Sequence, residues 1–144
     1  MSSHLPPKVQ NELIEKIKAI KPREIWLFGS YAKGTPTISS DIDIFVIKKK
    51  IKEDFHDDVV ALRNELNKLQ KEYGIEIDLF IDTKKGIKEK LKEADPFYIS
   101  VFKDAEQIYK KKPTTNNFIK IPPRQVIKFR IFMRKLKRFF KRKV

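Results

Sequence analysis

The apolar positions of this chain recur with two periods, and they alternate along its length. Residues 8–20 place Val9, Leu13, Ile17 and Ile20 on one helical face. Pro6 and Pro7 lead into that helix and Pro22 follows it. Residues 24–28 form a short apolar run that reads as a first strand, and residues 42–47 read as a second. Residues 53–73 return to the helical period, with Phe55, Val59, Leu62, Leu66 and Leu69 as the core stripe and Gly74 placed to end it. Residues 75–81 alternate as a third strand. A short helix over 86–93, another from Pro96 to about residue 103, and an edge strand at 107–109 complete the pattern. This order predicts an α+β domain: a small mixed β-sheet with helices packed mainly on one face.

The strand alternation also sorts the polar residues. In the third strand Ile75, Ile77, Leu79 and Ile81 share one face, while Glu76, Asp78 and Phe80 share the other. In the second strand Ile42 and Ile44 face the core, and Asp41, Asp43 and Phe45 share the opposite face. If the two strands are neighbours, Asp78 lies beside the Asp41/Asp43 pair.

Candidate chemistry begins just upstream. The segment from Leu27 to Gly34 reads Leu-Phe-Gly-Ser-Tyr-Ala-Lys-Gly, and ten residues separate Ser30 from Asp41-Ile42-Asp43. Gly29 has no Cβ, so backbone can approach a phosphate there. Ser30 adds a hydroxyl, and the amides opening a short helix at 31–33 favour an anion. Two carboxylates on one strand face repel unless a cation lies between them. Hard oxygen ligands select Mg²⁺ or Mn²⁺, with triphosphate oxygens and water filling the shell. Three carboxylates have the capacity for two metals, and Asp78 is also placed to act as base for an incoming hydroxyl. Taken singly, each feature has a commonplace reading. Gly-Ser is usually a turn, and Asp-x-Asp is usually the wet face of an edge strand.

Taken together, Gly29-Ser30, ten residues and Asp41-x-Asp43 resemble the signature of the nucleotidyltransferase superfamily related to DNA polymerase β. The chain is most similar to the minimal nucleotidyltransferases encoded beside HEPN-domain proteins. The resemblance covers about residues 8–110 and includes the later strand aspartate, Asp78, and the Pro96-Phe97 helix start. It implies a polymerase-β-palm-like fold, with Asp41, Asp43 and Asp78 as metal-binding and catalytic acids. It also implies nucleotide binding by Gly29, Ser30 and Lys33. Where the family often has Arg, this chain has Lys33, which keeps the charge and loses the planar fork. The implied activity is Mg²⁺-dependent transfer of a nucleoside monophosphate, most simply AMP from ATP. In the minimal type the implied acceptor is a tyrosine of a partner HEPN toxin, silenced by adenylylation.

Composition changes this picture in one place. The 144 residues carry a net charge of +14, yet 118–144 hold eleven Lys or Arg and no acid. The other 117 residues carry 22 bases against 19 acids, a net charge of only +3. The chain therefore reads as a nearly balanced domain, 1–117, followed by a basic tail, 118–144, joined through the Lys-, Thr- and Asn-rich stretch 110–117. After Pro122-Pro123 the tail has helical spacing, with Val126, Phe129, Phe132, Met133, Leu136 and Phe140 as its apolar stripe. That helix fits docking on the domain, an RNA-binding arm, docking to an acidic partner or attachment at a membrane surface. The chain has no cysteine, so it has neither disulfide nor thiolate metal site. Its two histidines, His4 in a terminal segment and His56 in a charged helix, make a zinc site a poor fit. No apolar run reaches membrane-spanning length and no signal-peptide pattern opens the chain, which leaves a cytoplasmic location as the expectation.

Several functions fit these features. A nucleotidyltransferase this small has no separate acceptor-binding domain, so the acceptor is expected to be a macromolecule. The toxin tyrosine is the first expectation and a tRNA 3′ end the second, the latter favoured by the basic tail. A small acceptor such as an aminoglycoside fits less well, because such relatives usually carry an added helical domain. A non-catalytic partner-binding role and a general RNA-binding module are the readings without chemistry.

Overall fold

The computed structural model describes residues 5–112 and residues 134–135. The chain divides into two units, Met1–Lys111 and Lys112–Val144, and the sheet and helices that follow belong to the first. His4, the linker from residue 113 onward and the apolar stripe expected of the tail lie outside the described residues.

Helix α1 (Pro7–Ile17) starts on a proline, whose missing N–H costs nothing at that position, and runs into a 3₁₀ turn at Lys18–Ile20. Then follow β1 (Glu24–Phe28), the one-turn helix α2 (Ser30–Lys33) and β2 (Ile42–Lys48). Helix α3 (Phe55–Tyr73) ends at Gly74, whose left-handed backbone (φ 66°) closes it with a bond from its N–H to the Gln70 carbonyl. The remaining elements are β3 (Ile77–Thr83), α4 (Lys84–Lys92), α5 (Pro96–Lys103) and β4 (Glu106–Lys110).

The four strands form one mixed sheet in the order β3-β2-β1-β4. β1 runs antiparallel to both β2 and β4, while β2 and β3 are parallel. Parallel neighbours need a crossover, and α3 provides it. One sheet face, carrying Ile25, Leu27, Ile42, Ile44, Val46 and Leu79, is buried under Val9, Leu13 and Ile17 of α1 and Phe55, Leu62, Leu66 and Leu69 of α3. Tyr73 of α3 donates to Glu12 of α1 at 2.8 Å and ties the two long helices together.

The opposite face is only partly covered, by the short helices α4 and α5. Phe102 packs against Phe45 at 5.1 Å and Trp26 at 6.4 Å between ring centres. The α+β architecture expected from the periodicity is therefore present, with the two long helices on one face. The uncovered part of the other face lies at the C-terminal end of β1 and the N-terminal ends of β2 and β3.

Element ends moved by a few residues for local reasons. β3 opens at Ile77, where Gln70 of α3 accepts a hydrogen bond from the Ile77 N–H at 2.6 Å. α4 opens at Lys84 because the Thr83 hydroxyl accepts from the Gly86 N–H at 3.0 Å and caps the helix. Gly74 isolates the cost of a left-handed residue, since an added Cβ would meet nothing within 4 Å. Gly74→Ala is expected to lower the unfolding free energy by about 1 kcal/mol through backbone strain alone, measured by urea denaturation.

Candidate active site

The site begins with a register. The Ile42 N–H donates to the Glu76 carbonyl at 2.8 Å, which aligns the start of β2 with β3. From there the parallel pairing sets Asp43 opposite Asp78 and Phe45 opposite Phe80. A slip of one residue would turn Asp78 to the buried face. On the other side β1 sets Phe28 opposite Asp43, so the chain leaves β1 into Gly29 directly beside this carboxylate. Asp41 lies just before β2, half-buried, and Asp78 is exposed.

Gly29 is required at its position for two reasons. Its φ is +73°, a conformation that side chains resist. A Cβ there would also stand 2.2 Å from Oδ2 of Asp43. The Asp43 carboxylate thus lies directly against the turn that leads into α2. Gly29 is the N-cap of that helix, and its carbonyl accepts from the Ala32 and Lys33 N–H groups, both at 3.1 Å. Ser30 opens the helix, half-buried. At the other end Lys33 pairs with Asp104 at 3.8 Å, with both side chains substantially exposed. A pair so exposed and so long contributes little, so Lys33 can exchange Asp104 for another anion at small cost.

Burial and crowding by like charges both show in Asp43. Its pKa rises from 3.8 to about 6, first through burial, then through the charges of Asp78 and Asp41 and hydrogen bonding with Asp78. Among the described residues no group of three or more His, Cys, Asp or Glu side chains forms a ready metal cage. The donor set nevertheless fits a hard divalent cation of the Mg²⁺ type. Such an ion is commonly held by one or two carboxylates plus phosphate oxygens rather than by an all-protein cage. A half-buried carboxylate pressed against a second one is what a cation would relieve.

The model for the nucleotidyltransferase domain matches residues 8–120 of this chain. The protein belongs to that family. As a nucleotidyltransferase domain it is also similar in fold to two solved structures. One is a crystal structure of a toxin–antitoxin with AMP-PNP, at a TM-score of 0.52 and 21 % identity, covering 93 % of this chain and 90 % of that one. The second is a mutant of the toxin–antitoxin MntA-HpeT, at a TM-score of 0.50 and 20 % identity, covering 93 % and 90 %. A search of curated proteins found no match. Among the described residues no helix is long and apolar enough to cross a membrane.

The structure brings together Gly29, Asp43 and Asp78, with Asp41 near enough to act on Asp43 electrostatically. It turns Lys33 toward Asp104 instead. Sequence reading missed the aromatic group next to the acids. Phe28, Phe80 and Phe97 have ring centres 5.0 to 6.4 Å apart, and Phe97 arrives from α5. The available signal was Phe80 itself, an aromatic residue on the otherwise polar face of its strand.

A second polar group was also missed, at the far end of β3. Tyr98 donates to Asp82 at 2.6 Å, and burial together with this bond holds the phenol above its ordinary range. Asp82 also accepts from the Thr83 N–H and lies where a Cβ on Gly86 would be, so it joins β3, α4 and α5. It belongs to the scaffold that seats α5 over the sheet.

The raised pKa of Asp43 has a consequence for stability. Below about pH 4 the carboxyl is protonated in folded and unfolded chains alike, and above about pH 6 it is charged in both and the folded state bears the full cost. Without divalent cation, Asp43→Asn is therefore expected to stabilise the protein at pH 7 by about 1 kcal/mol, after discounting the shift for solvent screening. The gain should shrink as pH falls through about 6 and vanish below about 4, as read from urea melts across that range.

Proposed function

We propose that this protein transfers a nucleoside monophosphate, most simply AMP from ATP, to a hydroxyl of a macromolecular acceptor. We further propose that it acts as the antitoxin of a HEPN-type toxin, with a toxin tyrosine as acceptor. The observation that carries the reading is the register that sets Asp43 beside Asp78, with Gly29 lying on Asp43. Family membership supports transfer of a nucleotidyl group. The likeness in fold to a toxin–antitoxin solved with AMP-PNP supports the adenine nucleotide and the toxin partner. The related MntA-HpeT mutant carries two aspartate-to-glutamate changes two positions apart, the same spacing as Asp41 and Asp43.

Each residue then has a role. Gly29 and Ser30 receive the triphosphate, and Lys33 leaves Asp104 for a phosphate oxygen. Asp41, Asp43 and Asp78 would hold Mg²⁺ or Mn²⁺, which supplies charge neutralisation for the phosphates when bound. The acceptor oxygen attacks the α-phosphorus, the bond to the bridging oxygen of the β-phosphate breaks, and pyrophosphate leaves. Asp78 takes the hydroxyl proton. The strand order β1-β2-β3 suits an in-line path, with the leaving group at the Gly29 turn, phosphorus over Asp43 and the attacking oxygen at Asp78.

The basic run of 118–144 favours a second reading, in which the acceptor is an RNA 3′ end gripped by that tail. One assay separates the two. Labelled ATP and Mg²⁺ are incubated with the protein and either a HEPN-type protein or total RNA. Label is expected on the HEPN protein, to disappear in Asp41→Ala/Asp43→Ala, and to form about 10²–10⁴-fold more slowly in Asp78→Ala. Label on RNA instead, lost on deletion of 118–144, would establish the second reading.

A further inference from the structure

Five large apolar side chains are exposed among the described residues: Ile38, Ile51, Val60, Phe80 and Phe97. Phe80 and Phe97 touch, with ring centres 5.0 Å apart, and they remain 36 % and 41 % exposed in spite of that contact. Single exposed apolar residues are ordinary, whereas two rings in contact beside a candidate active site offer a ligand an aromatic surface.

Its position narrows the choice. Phe28 is in register with Asp43, and Phe80 is two residues beyond Asp78 on the same face, about 7 Å along the strand. Their rings approach to 5.8 Å from the two strands that flank β2, and Phe97 packs on both. The aromatic surface therefore starts next to Asp43 and continues inward along the sheet. A nucleoside triphosphate with its α-phosphate at Asp43 has its base one ribose away from that point. In-line displacement directs the leaving and attacking groups across the strands, so the ribose departs sideways, and one of its directions runs along β2 toward these rings.

We propose that the partly exposed rings of Phe80 and Phe97, inclined at 52° to each other, form the platform for the base of the nucleoside triphosphate, which stacks on one ring and meets the edge of the other. The proposal rests on the nucleotidyl-transfer reading of the same site. Ring faces offer stacking without a hydrogen-bond code, so the site accepts more than one base. ATP and GTP bind within a few-fold of each other, and both bind more tightly than CTP or UTP because purines present the larger face.

The test uses the full chain with Mg²⁺ and no acceptor. The affinities of ATP, GTP, CTP, UTP and inorganic tripolyphosphate are measured by calorimetry. Phe97→Ala is expected to weaken ATP about 10-fold and leave tripolyphosphate unchanged. Phe97→Trp should retain ATP affinity. Phe97→Leu, which keeps most of the packing on Phe28 and Phe80, should lose ATP affinity while its thermal melt stays near that of the parent. Unchanged ATP affinity in both Phe80→Ala and Phe97→Ala overturns the platform, as does equal weakening of ATP and tripolyphosphate. If the parent chain binds neither ATP nor tripolyphosphate, the nucleotidyl-transfer reading itself has failed, an outcome distinct from failure of the platform alone.

Discussion

Two carboxylates that repel each other are held together at one end of a small sheet, and much of the structure serves that arrangement. Asp43 and Asp78 come from strands joined by a 19-residue helix, so only the parallel pairing of β2 and β3 brings them into register. Asp43 cannot move away freely, because β1 closes its other side and Gly29 lies on its oxygen. Burial of Asp43 first, and then the charges of Asp78 and Asp41, leave a carboxyl that holds its proton to about pH 6. Like charges kept close by a stable core are a common mark of functional sites. The hydrophobic face beneath them supplies the stability that makes the arrangement affordable.

The two faces of the sheet divide the work. Under α1 and α3 the strands present only Ile, Leu and Val, packed so that neither strand can shift by one residue without exposing its apolar set. On the other face the rows change character along the strands. Acids occupy the end near Gly29, a partly exposed aromatic group follows, and Phe45 and Trp26 form a buried aromatic layer with Phe102 of α5. The face passes from wet to dry over a few residues. That gradient suits a ligand with an anionic end and a flat end.

Much of this was legible in the chain before folding was considered. The strand at Glu24–Phe28 and the helix from Pro96 to Lys103 occur where the pattern put them, because a short apolar run and a proline start are local signals. Gly74 ended its helix as expected, for the local reason of backbone handedness. Boundaries moved where a side chain from elsewhere intervened, as with Gln70 at the start of β3. Lys33 illustrates another limit. The family resemblance implied a phosphate partner for it, while its anion in the fold is Asp104, 71 residues later in the chain.

The alternation of side chains alone determined which face each acid occupies, since strand geometry is local and its period is two. It determined the turn chemistry of Gly29 and the family signature from Gly29 to Asp43 for the same reason. Only the tertiary structure decided that β3 lies beside β2 and parallel to it, which joins Asp78 to Asp43. Only the tertiary structure brought Phe97 from α5 onto Phe80 and Phe28. Both facts depend on contacts between residues far apart in the chain, and no local periodicity carries that information.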